Sequence, residues 1–191
     1  EKTFSEKDKK DIIIKLAKSK NEISISSLAE KNAKQSLKQK LVQSDTNNNL
    51  IEELASKFNI NNNIELIEVY DNSHIQGTDS VGSLICFGNE GFVKKRYRKF
   101  NIKDEKVKND DYGMMKEVLF RRFSKAIKEK SGSLSLPDLI MIDGGKGQYS
   151  VSREVLNELG LHDLPILAVA KGKRRNAGEE KIYYKSKEYI L

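Results

Sequence analysis

One cysteine, Cys86, and two histidines, His74 and His162, are all that this 191-residue chain offers of the softer metal ligands. A lone cysteine excludes an internal disulfide and accords with a reducing compartment, so a cytoplasmic location is expected. It also excludes zinc sites built on cysteine clusters, which two histidines cannot replace. Any metal is therefore expected to be a hard cation on oxygen ligands. No apolar run approaches the ~18 residues of a membrane span, and no signal-peptide apolar core is present. The G-x-x-x-x-G-K-[ST] spacing of a phosphate-binding P-loop is missing as well.

What the chain has in quantity is charge. Charged residues make up 33% and hydrophobic residues 37%, with a net charge of +7. That composition describes a globular chain with a highly charged surface, long enough for one domain with a sizeable core and a smaller appendage. The positive charge is concentrated: residues 91–108 (GFVKKRYRKFNIKDEKVK) hold eight Lys/Arg against two acids, with Tyr97 and Phe100 interleaved. Clustered cations with aromatics are the footprint of phosphate contact; an edge strand guarded by lysines is the competing reading. The chain begins at Glu1 rather than Met and stops at Leu191 within an expected hairpin, which reads as a fragment cut at both ends.

Residues 12–17 (IIIKLA) read as a short strand. Ser27-Leu-Ala-Glu30 matches a capping box, and Ala29, Ala33, Leu37 and Leu41 recur every fourth residue, predicting a helix over 27–43. A second helix is predicted at about 49–58 from Leu50, Leu54 and Phe58, with the asparagines at 47–49 and 61–63 as turns or linkers. This mostly helical lead-in, with its short strand, is expected to end at residue 63. From 64 the period changes to strands at 64–70, 81–87 and 92–101, separated by the polar DNSHIQGTDS and a turn at 88–91. Asn109-Asp110-Asp111 then opens a helix carrying Met115, Leu119, Phe123 and Ile127. A short apolar strand at Leu139–Ile142, a helix to about Leu159 and a strand at Ile166–Ala170 follow. The order βββαβαβ predicts an α/β fold over 64–191: a three-stranded antiparallel meander feeding parallel βαβ units in one mixed sheet.

Two aspartates, Asp71 and Asp143, each directly follow an apolar strand and begin a polar turn. If those strands are parallel neighbours, ~4.8 Å separates them, and both carboxylates reach one cation. Asp111, opening the intervening helix, could add a third carboxylate. Two or three carboxylates plus waters suit Mg²⁺ or Mn²⁺. Each residue also has a plainer reading: Asx-turns for Asp71 and Asp143, a helix start for Asp111. DGGKGQ at 143–148 offers glycines and Lys146 to a phosphate at a helix start, or is a tight strand-to-helix turn. His74 reads as a turn hydrogen-bonder or a partner to Asp71, and Cys86 as core.

Several longer strings are less generic. Ile67-Glu-Val-Tyr-Asp-Asn-Ser-His-Ile-Gln-Gly77 resembles the central motif of the UvrC family of bacterial excision-repair endonucleases. The resemblance continues through Lys94-Lys-Arg-Tyr-Arg-Lys-Phe-Asn-Ile102, Asp110-Asp-Tyr-Gly-Met-Met115, Val118-Leu-Phe-Arg-Arg-Phe123, Pro137-Asp-Leu-Ile-Met-Ile-Asp-Gly-Gly-Lys-Gly-Gln148 and Ala168-Val-Ala-Lys-Gly172. All follow in the family's order over 64–172, while the lead-in, including Ala29-Glu-Lys-Asn-Ala33, matches more loosely.

The resemblance implies a ribonuclease-H-like fold in 64–191, with Asp71, Asp111 and Asp143 as catalytic, metal-binding carboxylates. It implies an endonuclease of nucleotide excision repair that makes the 5′ incision in the damaged strand of double-stranded DNA, with a UvrB-like partner. Lys94, Lys95, Arg96, Arg98, Arg121, Arg122 and Lys146 are expected to hold phosphates. The family's site is completed by a downstream histidine that neither His74 nor His162 matches, so 1–191 alone is expected to cut poorly. The competing readings are a non-catalytic nucleic-acid-binding module and a nucleotide-binding α/β enzyme using DGGKGQ.

Overall fold

A computed structural model describes residues 15–60, 63–75, 79–104, 107, 110–129, 135–172 and 180–190, with backbone alone at 74, 75 and 79. The chain divides into two compact units, Glu1–Val42 and Gln43–Leu191.

Helix α1 runs Lys20–Phe58. It is capped not at Ser27 but eight residues earlier. The Glu22 N–H donates to Ser19 Oγ at 3.2 Å, and Glu22 Oε2 accepts from the Ser19 and Lys18 N–H groups at 3.0 Å. Those backbone donors hold the Glu22 carboxyl down at about 2. In the first unit Leu28, Leu37 and Leu41 stay exposed. The helix there rests on its cap, on good helix formers and on pairs such as Glu30–Lys34 at 2.7 Å. Of the strand expected at 12–17, residues 15–17 carry no regular structure and 12–14 lie outside the described residues.

In the second unit the asparagines at 47–49 do not break the helix. Asn47 is buried, and its Nδ2 donates to the Asn89 carbonyl at 3.3 Å, a tertiary bond that outweighs weak helix propensity. The remaining elements are β1 Leu66–Ile75, β2 Asp79–Gly88, β3 Gly91–Phe92, a 3₁₀ turn Lys94–Arg96 and β4 Arg98–Asn101. They continue with α2 Asp111–Lys128, β5 Leu139–Asp143, α3 Lys146–Glu158, β6 Ile166–Ala170, β7 Lys181–Tyr184 and β8 Lys187–Ile190. The third strand expected at 92–101 is thus interrupted by the basic turn, and both β3 and β4 pair with β2.

The sheet order is β3-β2-β1-β5-β6-β7-β8. The pairs β1–β5 and β5–β6 are parallel, and the flanking pairs are antiparallel. This is the α/β, ribonuclease-H-like mixed sheet that the motif order implied. Strand alternation sorts two core layers. Tyr70, Ile140, Ile142, Ile166 and Ala168 pack with Met114, Met115, Val118, Leu119 and Phe123 of α2 and Val155 and Leu156 of α3. Ile67, Leu139 and Leu167 face the other way, beside Ile182 and Tyr184 of β7, onto Ile51 and Phe58 of α1. Both faces of the central parallel strands are therefore covered, which is why Leu139–Ile142 reads as a continuous apolar run. Cys86 lies in this core as expected, where burial first and the Glu68 charge second push its thiol up to about 11.

Candidate active site

The parallel pairing of β1 with β5 ends at Tyr70↔Ile142, so the next residues of the two neighbouring strands are Asp71 and Asp143. β1 itself does not stop there. It continues to Ile75 in antiparallel register with β2, through Asp71↔Ser83 to Ile75↔Asp79. The polar string beginning at Asp71 is therefore hairpin arm rather than turn through Ile75; residues 76–78 lie outside the described residues, as does the side chain of His74. Asp71 stands where β1 parts from β5, while Asp143 is the last residue of its strand.

Alternation continues the face of Val69, Met141 and Val169 to Asp71, Asp143 and Lys171 across three adjacent strands. Asp111 reaches the same edge from the start of α2. Asp71, Asp111 and Asp143 line one cleft of about 210 Å³ with Asn72, Met115, Gln148 and Lys171. Asp111 is the first residue of α2 and its acidic first-turn residue, the helix-start role considered for it, while its neighbour Asp110 is the N-cap, its Oδ1 accepting the Tyr112 N–H at 3.0 Å.

The cleft is electrostatically tense. Burial first, and the Asp143 charge second, raise the Asp71 carboxyl above its ordinary value, against the opposing pull of Lys171. Lys171 Nζ donates to Asp143 Oδ2 at 3.0 Å. Sequence reasoning did not single out Lys171, although its place one residue after the third parallel strand was the available signal. At the wall, Asn72 Nδ2 donates to the Asp111 carbonyl at 3.4 Å, while Asn72 Oδ1 is buried with no hydrogen-bond partner among the described residues. Among the described residues, no three His, Cys, Asp or Glu side chains stand close enough to hold a metal together. Mg²⁺-like cations need only one or two carboxylates and keep several waters, so paired aspartates with a third nearby fit such an ion by donor chemistry.

The loop at 143–148 spends donors internally. The Gly144 N–H donates to the Val169 carbonyl at 3.0 Å and the Gly145 N–H to Gln148 Oε1 at 3.0 Å. Lys146 is exposed at the first position of α3.

The expected phosphate contacts separate into groups. Lys94, Lys95 and Arg98 are exposed on the basic turn and β4. Arg96 is turned onto Ser135, donating to its carbonyl at 2.9 Å and its Oγ at 3.1 Å. Arg121 donates to the Asn101 carbonyl at 2.8 Å and pairs with Glu117 at 2.9 Å. Arg122 is 4% exposed and bonded to Glu68, itself 1% exposed, at 2.6 Å. A guanidinium so placed is an internal counter-ion, and Arg122 is set aside from the surface contacts. Glu68, which also accepts the Tyr70 hydroxyl at 2.6 Å, was missed in the sequence because an acid in a strand of alternating pattern reads as solvent-facing. His162 lies away from the cleft, lining a groove with Tyr149, Arg153 and Tyr184.

A mixed sheet whose parallel central strands carry acidic residues at their carboxyl edge, preceded by an antiparallel hairpin and backed by helices, has the ribonuclease-H-like architecture. The family model of the UvrC RNAse H endonuclease domain matches residues 55–191, and the chain belongs to that family. The UvrABC system protein C of Cereibacter sphaeroides is 49% identical over 158 residues, covering 81% of this chain and 25% of that protein. The one from Hyphomonas neptunium is 50% identical over 160 residues, covering 81% and 26%. The one from Ruegeria sp. is 44% identical over 183 residues, covering 94% and 29%. The chain thus spans about a quarter of the length of the relatives it matches. Endonuclease V of Ciona intestinalis overlays at a TM-score of 0.41 with 13% identity, covering 70% of this chain and 58% of that one, too loosely to bear on function.

Proposed function

We propose that this domain is the endonuclease of a nucleotide-excision-repair protein, making the 5′ incision in the damaged strand of duplex DNA with a divalent metal. The observation that carries the reading is the placement of Asp71 and Asp143 one step beyond the last paired residues of adjacent parallel strands, on a cleft shared with Asp111. Asp71 and Asp143 would hold Mg²⁺ or Mn²⁺, with Asp111 as a direct or water-mediated ligand. When bound, the metal supplies polarisation of a phosphoryl oxygen and a more acidic attacking water.

The chain's own residues supply the rest. Lys94, Lys95 and Arg98, with Lys146 at the start of α3, hold backbone phosphates as point charges, giving affinity without sequence preference. Lys171 keeps a positive charge beside Asp143 at the cleft. Gln148 fixes the loop that carries Asp143 into α3. A UvrB-like partner and the lesion belong to the proposal for the whole protein.

The test is incision of a duplex bearing a single lesion, by the full-length protein with its partner. Asp71→Asn and Asp143→Asn should each abolish the 5′ cut while leaving DNA binding within a few-fold. Normal 5′ cutting by Asp71→Asn would remove the central residue. The second reading, a binding module without catalysis, draws on the exposed Lys94, Lys95 and Arg98 of the basic turn and β4, which need no metal to hold phosphates. Metal-dependent nicking of plasmid by this chain, with and without a downstream histidine-bearing segment, separates the two. The nuclease reading expects weak cutting without that segment and restored cutting with it.

A further inference from the structure

Tyr112 is the second residue of α2 and 49% exposed, directly after the cleft residue Asp111. Its ring does not project freely. The Cε1, Cζ and hydroxyl oxygen lie so close to Gly147 that a Cβ on that glycine would come within 2.4–2.5 Å of all three. Gly147 is the second residue of α3, a position where glycine weakens a helix and no left-handed conformation calls for it. What its missing side chain supplies is room for the ring. The next residue, Gln148, lines the cleft. The tyrosine therefore spans the two helix starts that flank the aspartates, with one edge seated on backbone and about half its surface open to solvent.

We propose that Tyr112 is a stacking platform for one nucleobase beside the scissile phosphate, seated by Gly147; the proposal rests on the nuclease reading above. A rigid ring with few torsions to freeze is suited to this task. Base–aromatic stacking tolerates any base, which fits an enzyme that must act wherever damage falls. It also complements the cations of the basic turn: they set affinity through phosphates, while a platform fixes where along the strand the backbone enters the cleft. Tyr112 is in this sense a positioning residue.

The experiment is an abasic scan. Binding of a fluorescent 12-nucleotide single-stranded DNA is measured by polarisation at low salt, with one base after another replaced by a tetrahydrofuran abasic unit. Wild type should show a step at one position, a loss of roughly tenfold, within the range of a single base–aromatic stack. Tyr112→Phe should keep the step. Tyr112→Ala should bind intact DNA roughly tenfold more weakly and give a flat scan, because the partner of the missing base is already gone. Gly147→Ala, whose new methyl displaces the ring while adding a better helix former, should flatten the scan with unchanged circular dichroism. A flat scan in wild type, or a step that survives in Tyr112→Ala, overturns the platform. A step that survives in Gly147→Ala overturns the seating by Gly147. Failure of the wild-type chain to bind any of these strands would instead defeat the nucleic-acid reading on which the platform rests.

Discussion

Lys171 holds its ammonium 3.0 Å from Asp143 Oδ2, at the edge where Asp143 and Asp71 occupy corresponding positions on neighbouring parallel strands. Among the described residues Lys171 is one cation beside two carboxylates, and burial first, with the Asp143 charge second, raises the Asp71 carboxyl. On the proposed metal-assisted reading, Lys171 and a divalent metal compete for Asp143.

Opposite effects on metal affinity should follow. Lys171→Met is expected to tighten Mn²⁺ binding by a few-fold, the scale of a screened surface pair, whereas Asp71→Asn should weaken it. Titration calorimetry on the two variants checks the signs. Weaker Mn²⁺ binding by Lys171→Met would show that the ammonium supports the site instead of competing for it.

The same tension appears as stability. A carboxyl raised in the folded state binds its proton more tightly there than in the unfolded chain, so stability falls as pH rises from about 3.8 through the raised folded value. In chelator, Asp71→Asn should raise the melting temperature at pH 7 by about 1–2 °C, a fraction of a kcal/mol at this size. The gain should vanish below pH 3.8, where wild-type Asp71 is protonated in both states. Melting curves across pH 3–8 measure it, and a lower melting temperature for Asp71→Asn at pH 7 would contradict the repulsion.

Inside the sheet the Glu68–Arg122 pair should matter for folding. Arg122→Met leaves a buried carboxylate without its counter-ion and is expected to cost about 3–5 kcal/mol. Glu68→Gln combined with Arg122→Met should recover part of that loss, because neither charge then remains alone. Urea denaturation reads both, and a cost for Arg122→Met under about 1 kcal/mol would mean that the pair is solvated.

On the surface, DNA affinity should fall with salt at a slope of roughly −4 to −5 if about five phosphates are engaged. Replacing Lys94, Lys95 and Arg98 by Ala should flatten that slope by about 2–3, each removing one contact. Arg96→Ala should add less, since both of its terminal nitrogens donate to Ser135, whereas Arg98 spends only Nη1, on the Lys95 and Tyr97 carbonyls. An unchanged slope in the triple variant would return the turn to the role of a guarded sheet edge.

Beyond residue 63 most strand and helix periods, the order of elements through β6 and the acidic residues after apolar runs were legible in the chain, because they are local: alternation of two, recurrence near four, and turn chemistry in consecutive residues. What pairs with what was not local. That β1 lies beside β5, bringing Asp71 next to Asp143 across more than seventy positions, was decided by the packing of both sheet faces. So was the fate of individual charges. Arg121 and Arg122 are neighbours in sequence on one helix, yet one stays at the surface with Glu117 and the other is drawn into the core by Glu68. The asparagines at 47–49 spell a break by propensity alone, whereas in the folded chain Asn47 is buried within the helix and bonded to the Asn89 carbonyl. Residue type determined the kind of chemistry on offer; the sheet's register, a property of distant segments meeting, decided which of those groups share a cleft.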